Sequence, residues 1–199
     1  MRMNLGSMVL AALLATLVAC GGGDQPAEDS SADPAAAGAD AADSAAAGEP
    51  PMRRINVVLE GKSDSQLTGI AMFVQDKTGV TLQLNVENTP PGEHAVHIHE
   101  TGDCSAPDAS SAGGHWNPSM EDHGKWGETP HHMGDIGNVV VAADGMGELS
   151  LTTDKWSIGT GADNDILGHA IVVHADKDDF MTQPTGAAGG RIGCGVIAE

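Results

Sequence analysis

Residues 80–86 read Val-Thr-Leu-Gln-Leu-Asn-Val, apolar at every second position and polar between. Successive side chains of a strand point to opposite faces, so the alternation predicts a strand with one face in a core and the other in solvent. "LTGIAMFVQ" precedes it across the turn sequence "DKTG", which predicts a hairpin. "NVVVAADGMGELSLTT" predicts a second hairpin with Asp-Gly in its turn. "RINVVLEG", "HAVHIHE", "HAIVVHA" and "RIGCGVIA" complete a set of about eight short strands. No long segment repeats its apolar residues at the helical period, so the expectation is an all-β antiparallel barrel or sandwich. Composition agrees: with no Tyr, 2 Phe, 3 Trp and 27 Gly, the core must come from Val, Ile, Leu and Ala among many turns.

The pattern fails before residue 52. Residues 1–19 carry Arg2 and an apolar run from Met8 to Ala19, too short for a spanning helix and suited to a secretory signal. The junction "LVAC" is similar to the bacterial lipobox, which makes Cys20 the expected lipidated residue and a membrane anchor. Residues 20–51 are Ala, Gly, Asp, Ser and Pro with almost no large apolar side chain, and are expected to be a disordered tether. Residues 52–199 then form the folded domain. This domain holds 21 acidic and 8 basic side chains, a formal charge of −13. That excludes nucleic acid as a partner and keeps the domain itself off anionic lipid.

The chemistry is concentrated in histidine. In "HAVHIHE", His97 and His99 lie two apart on an expected strand. They share a face with Cα atoms about 6.5–7 Å apart, a spacing at which two imidazoles can grip one metal. Ile98 points the other way, into the core, and His94, on the opposite parity, is expected to make a structural hydrogen bond. The segment 101–135 adds His115, His123, His131, His132 and Asp135. A connection this long without regular structure is usually functional or disordered, and bound metal would order it. Imidazoles with one carboxylate suit zinc or copper. His174 ends the apolar strand "AIVVH". His131 is expected on the surface, because His132 beside it is better spaced from Asp135.

With Cys20 lipidated, Cys104 and Cys194 remain. Their parity in an exported chain suggests one disulfide closing about 90 residues, worth up to about 4–5 kcal/mol in the chain-entropy model. Two metal-ligating thiolates are the alternative.

"HIHETGDC", "GGHWNP", "HHMGDIGNV", "IVVHADKDD" and "GGRIGCGVI" resemble the copper–zinc superoxide dismutases, in family order and spacing across residues 53–199. The resemblance implies an eight-stranded antiparallel Greek-key barrel or sandwich with two long functional loops. It implies an oxidoreductase that converts two superoxide anions and two protons to oxygen and hydrogen peroxide by Cu(II)/Cu(I) cycling. It carries copper to His97, His99, His115 and His174, and zinc to His115, His123, His132 and Asp135, with His115 bridging the two ions. It makes Asp178 the outer carboxylate joining a copper-binding histidine (His97 or His99) to a zinc-binding one, here His123. Arg191 becomes the cation beside the copper, and Cys104–Cys194 the disulfide that pins the first long loop to the last strand.

The chain departs from the family at Ala95 and Val96, where Gly and Phe are usual, and at Trp116, where Phe is common. The segment between His174 and Arg191 carries few of the charges that guide superoxide in eukaryotic members, so it looks like the bacterial form. Lys125 is a candidate guide, His169 a surface residue and Trp126 a candidate subunit contact for a homodimer. The expected place is the bacterial periplasm, lipid-anchored, with the outer membrane favoured because Gly21 is not an acidic retention signal. Two other readings use the same fold: a copper- or zinc-sequestering lipoprotein, and a structural or adhesive module. Retention of the copper ligands and of Arg191 favours the enzyme.

Overall fold

The computed structural model describes residues 52–199; the signal, Cys20 and the tether lie outside the described residues. Eight strands run β1 Arg53–Gly61, β2 Thr68–Asp76, β3 Gly79–Glu87, β4 Gly92–His99, β5 Asp135–Val141, β6 Gly147–Thr153, β7 Ala170–His174 and β8 Arg191–Val196. They close into one barrel in the spatial order β1-β2-β3-β6-β5-β4-β7-β8. Every pairing is antiparallel, and β8 returns to β1 through Glu60–Cys194 and Gly61–Gly193. β3 neighbours β6 while β4 lies beyond β5, so the chain crosses the barrel end in the Greek-key manner. Among the described residues the helical structure is one 3-10 turn, Ser110–Ala112.

The alternation in β3 does what its pattern predicts: Val80, Leu82, Leu84 and Val86 are each 1% exposed or less, and they face Ala71 and Phe73 of β2 in the core. Lys77 and Thr78 form the turn of the first hairpin, with Thr78 N–H bonded to Asp76 Oδ1 at 2.7 Å. Gly145 takes positive φ in the second, where Asp-Gly was expected.

β4 behaves differently. From His94 to His99 every residue is buried, on both faces. Its inner face packs Ile98 in the core, and its outer face is roofed by residues 100–134 and 175–190, where Asp178 and the Gly113 carbonyl accept hydrogen bonds from His97 and His99. The pairing of β4 with β5 shifts register between Val96 and His97. A third long connection, 154–169, caps the barrel with Trp156, Ile158 and Ile166, all buried in the core. The sequence pattern did not mark this segment as structural.

The disulfide forms between Cys104 and Cys194, whose Cα atoms are 5.9 Å apart. It excludes the thiolate-ligand alternative.

Candidate metal centre

The site begins with the backbone of Ile98. Its N–H bonds to Gly134 O at 2.9 Å, its carbonyl accepts Trp116 N–H at 2.8 Å, and Gly134 N–H bonds to Trp116 O at 2.9 Å. This triangle sets His115 and the His132–Asp135 turn beside β4. A Cβ on Gly134 would sit 2.2 Å from the Ile98 oxygen, so only glycine allows so close an approach. His99 and His115 pair as an isolated bridge. His174 comes in from β7, which is hydrogen-bonded to β4.

Two groups of four result: His97, His99, His115 and His174; and His115, His123, His132 and Asp135. All seven side chains are buried. The ligand atoms of each group lie within 4.8 Å of one another, and His115 belongs to both.

In the first group each strand imidazole has one nitrogen committed outward. His97 Nε2–H donates to Asp178 Oδ2 at 2.8 Å, His99 Nδ1–H donates to Gly113 O at 3.0 Å, and His174 Nδ1 points to Gly189 O at 3.5 Å. The other nitrogens converge as lone pairs. His99 Nε2 and His174 Nε2 stand 3.3 Å apart, and His97 Nδ1 and His115 Nε2 are buried without a hydrogen-bond partner. Facing acceptors with no donor between them suit a cation, which would satisfy all of them at once. Burial holds these rings neutral: His99 falls to about 2, while His97 and His174 lie below the ordinary imidazole value. A neutral imidazole is the form that ligates metal.

In the second group the hub is Asp135 Oδ1. It lies 2.9 Å from His115 Nδ1, 3.0 Å from His123 Nδ1 and 3.2 Å from His132 Nδ1, and the Nδ1 atoms of His115 and His132 are 3.3 Å apart. A tetrahedron with ligands about 2.0 Å from zinc has edges of about 3.3 Å, so this one-oxygen, three-nitrogen set fits zinc. Asp135 Oδ2 is held separately by N–H groups of Gly124 at 3.1 Å and His132 at 2.7 Å, which aims Oδ1 inward.

Charge follows the same division. Burial presses the His115 ring down to about 4 against the pull of Asp135. Burial also opposes a charged His123, but the Asp135 and Asp178 carboxylates outweigh it and raise the ring to about 9. Burial would raise both carboxyls, yet the histidines bonded to them hold Asp135 and Asp178 well below the usual carboxylate range.

Asp178 joins the two groups, with Oδ2 on His97 and Oδ1 on His123 Nε2 at 2.9 Å. Of the two copper-side partners expected for it, the structure selects His97. Two residues without any sequence signal support this link. Asn138 makes a two-bond clamp on the Asp178 backbone, at 2.7 and 3.1 Å, and Gln183 does the same for His123, at 2.8 and 2.8 Å. Single amides give no periodicity or spacing by which to find them.

Arg191 donates through Nη1 to Ala109 O and through Nη2 to Gly113 O, both at 2.6 Å. Gly113 O thus receives Arg191 and His99 together. The remaining candidates stand apart from the ligand groups. His94 is held between the carbonyls of His174 and Pro90, at 2.9 and 2.8 Å. His131 meets Lys155 Nζ at 3.2 Å, and His169 bonds to Glu100 O and lies over Trp116, so both are partly buried and engaged. Lys125 pairs with Glu128 at 3.0 Å, which offsets its charge as a guide. Trp126 packs edge-on against Trp156 at 5.2 Å.

A family model described as copper/zinc superoxide dismutase matches residues 67–197. The chain is 39% identical over 150 residues to "Superoxide dismutase (Cu-Zn) 2" of Mesembryanthemum crystallinum, across 72% of this chain and 94% of that one. It is 39% identical over 139 residues to "Superoxide dismutase (Cu-Zn)" of Caulobacter vibrioides, across 67% and 80%. Among solved structures, a SOD-like protein from Bacillus subtilis superposes with a TM-score of 0.65 at 31% identity, across 73% and 99%. The shared barrel, the disulfide and the match across most of the described domain place this chain in the copper/zinc superoxide dismutase family.

Proposed function

We propose that the protein is a superoxide dismutase, turning two superoxide anions and two protons into oxygen and hydrogen peroxide. Copper would be held by His97 Nδ1, His99 Nε2, His115 Nε2 and His174 Nε2; zinc by Nδ1 of His115, His123 and His132 with Asp135 Oδ1. Bound copper supplies the one-electron redox couple, and bound zinc a fixed positive charge. The observation that carries this reading is the shared His115, whose buried Nε2 has no partner while its Nδ1 faces Asp135.

The chain's own residues then divide the work. His97, His99 and His174 present neutral lone pairs, each ring oriented by its outward bond. Asp135 and His132 fix Nδ1 of His115, which leaves Nε2 as the atom that can take up a proton and give it back. Asp178 keeps His97 and His123 in register. Arg191 offers a guanidinium to an anion in a domain whose formal charge is −13, where the overall field repels superoxide.

Arg191 provides the test. Arg191→Ser should lower the rate about tenfold, within the range by which local fields change on-rates. Arg191→Glu should cost more, and its residual rate should rise with added salt, because screening weakens a net repulsion. Superoxide decay by pulse radiolysis at several ionic strengths, on metal-quantified protein, measures this. A parental rate in Arg191→Glu at full copper content contradicts the role given to Arg191.

The location we propose is a membrane surface in the bacterial periplasm, with the domain tethered through lipidated Cys20. Among the described residues no helix is long and apolar enough to cross a membrane. Cys20→Ala should move the protein to the soluble periplasmic fraction with unchanged specific activity. Retention of that variant in the membrane fraction would refute the anchor.

A further inference from the structure

We infer that the turn between β1 and β2, through Lys62 and Ser63, is a positioning element for Arg191: a hydrogen-bonded clasp acting in parallel with the Cys104–Cys194 disulfide. The inference rests on the reading of Arg191 as the residue that receives the anion.

The turn touches both parts that place the guanidinium. On the strand side, Lys62 N–H bonds to Ile192 O at 3.0 Å, and the Ser63 hydroxyl donates to Arg191 O at 2.9 Å. These bonds hold the backbone from which the Arg191 side chain departs. On the loop side, Lys62 Nζ donates to Cys104 O at 2.7 Å, and Ser63 N–H to Pro107 O at 2.8 Å. They hold the segment whose carbonyls, Ala109 and Gly113, receive the guanidinium. The same Gly113 carbonyl orients His99, so the loop position bears on a copper-side ring as well.

The geometry of the turn is specific. Ser63 and Asp64 take φ of 53° and 62°, a left-handed conformation that costs a non-glycine residue and persists where surrounding contacts impose it. The Lys62 stem is half-buried, and its charge is spent on a carbonyl of the disulfide cysteine itself. A charge-assisted bond of this kind is roughly twice as strong as a neutral one. The disulfide joins Cys104 to Cys194, three residues past Arg191 in β8. One loop is therefore fastened to one strand twice, by a covalent link at Cys194 and by this turn at Arg191 and Ile192.

The test uses Lys62→Met with Ser63→Ala, and Lys62→Arg as the conservative variant that keeps a donor at the same carbonyl. In the metal-free protein, dithiothreitol should reduce Cys104–Cys194 about three- to tenfold faster in the double variant, since reduction depends on access to the sulfurs. With copper and zinc bound and copper content unchanged, azide affinity and the rate of superoxide decay should each fall about threefold, as expected for a displaced guanidinium. Lys62→Arg should stay within about twofold of the parent on all three, the donor being retained. A double variant with the parental reduction rate overturns the clasp. Faster reduction with unchanged azide affinity overturns the positioning role, because the turn would then hold the loop without aligning Arg191. A parent that leaves superoxide untouched would remove the dismutase reading instead, while the reduction rate, which needs no metal, would still decide the clasp.

Discussion

The two halves of the metal centre are built by different means. Three of the imidazoles proposed for copper ride on β4 and β7, where the ladder fixes them: His97 opposite Val172, His99 opposite Ala170, and His174 opposite Arg191. The ligands proposed for zinc, other than Asp135, ride on the connection between β4 and β5, where no ladder exists. A few backbone bonds through Ile98, Trp116 and Gly134, together with electrostatics, replace it. Asp135 gathers three Nδ1 atoms, and Asp178 secures His123 from behind. The strand half is therefore neutral and preorganised by burial, whereas the loop half is held by charge. His115 belongs to both, so each half constrains the other.

The contrast can be broken most sharply at its hub. Asp135→Ala removes the one zinc-side oxygen and leaves the four copper-side nitrogens intact. Zinc affinity should drop more than about 1,000-fold, beyond the 10- to 100-fold typical of losing an outer partner. Copper stoichiometry, read by elemental analysis after dialysis against a chelator, should stay near one. Unchanged zinc content would refute the assignment of Asp135.

Gly186 tests the link between the halves. A Cβ there would lie 1.9 Å from Asp178 Oδ1 and 2.6 Å from His123 Nε2, at a backbone φ of +66°. Asp178 is buried and bonded on both oxygens, so it cannot step aside. Gly186→Ala should lower the stability of the metal-free domain by about 3 kcal/mol, from left-handed strain plus a disturbed charged bond. Urea unfolding measures it; a loss under about 1 kcal/mol would show that Asp178 is not locked.

The smallest effect, per group and per pH unit, lies in the pH dependence of the metal-free domain. His97, His99, His115 and His174 have folded values below 6.5, so the unfolded chain binds more protons under acid conditions. Stability should fall as pH drops below 6.5, by about 1.4 kcal/mol per pH unit for each group until its folded value is reached, about 4 for His115 and about 2 for His99. His123 has the opposite sign: its contribution is complete below 6.5 and is lost as pH rises through about 9. Between pH 5 and 8.5 the four lowered histidines thus govern the acid side and His123 the alkaline side, with maximal stability near pH 7. Unfolding curves at pH 5, 6.5 and 8.5 check this, and greater stability at pH 5 would contradict it.

The strand half was also the more legible in the sequence. The two-residue period put His97 and His99 on one face with Ile98 in the core, and β3 showed its buried side through Val80, Leu82, Leu84 and Val86. The loop residues carry no period, and their grouping came from resemblance to family motifs. The supports were invisible to either reading. Asn138 and Gln183 each act through paired amide bonds on one backbone unit, Gly186 through the room it leaves beside Asp178, and Lys62 and Ser63 through a turn distant in sequence from the loop they hold. The cap of residues 154–169 was missed for a similar reason: Trp156, Ile158 and Ile166 are isolated apolar residues among turns.

The central claim is that the strand-borne histidines hold the ion that reacts, while the loop-borne group holds the ion that fixes His115. It is tested most directly by superoxide decay in the domain of residues 52–199, prepared with zinc alone and with zinc plus graded copper, every ion quantified. The account predicts no catalysis with zinc alone and a catalytic rate rising in proportion to copper, up to one per chain. Spontaneous decay rates at full copper occupancy, or catalysis by the zinc-only protein, would contradict it.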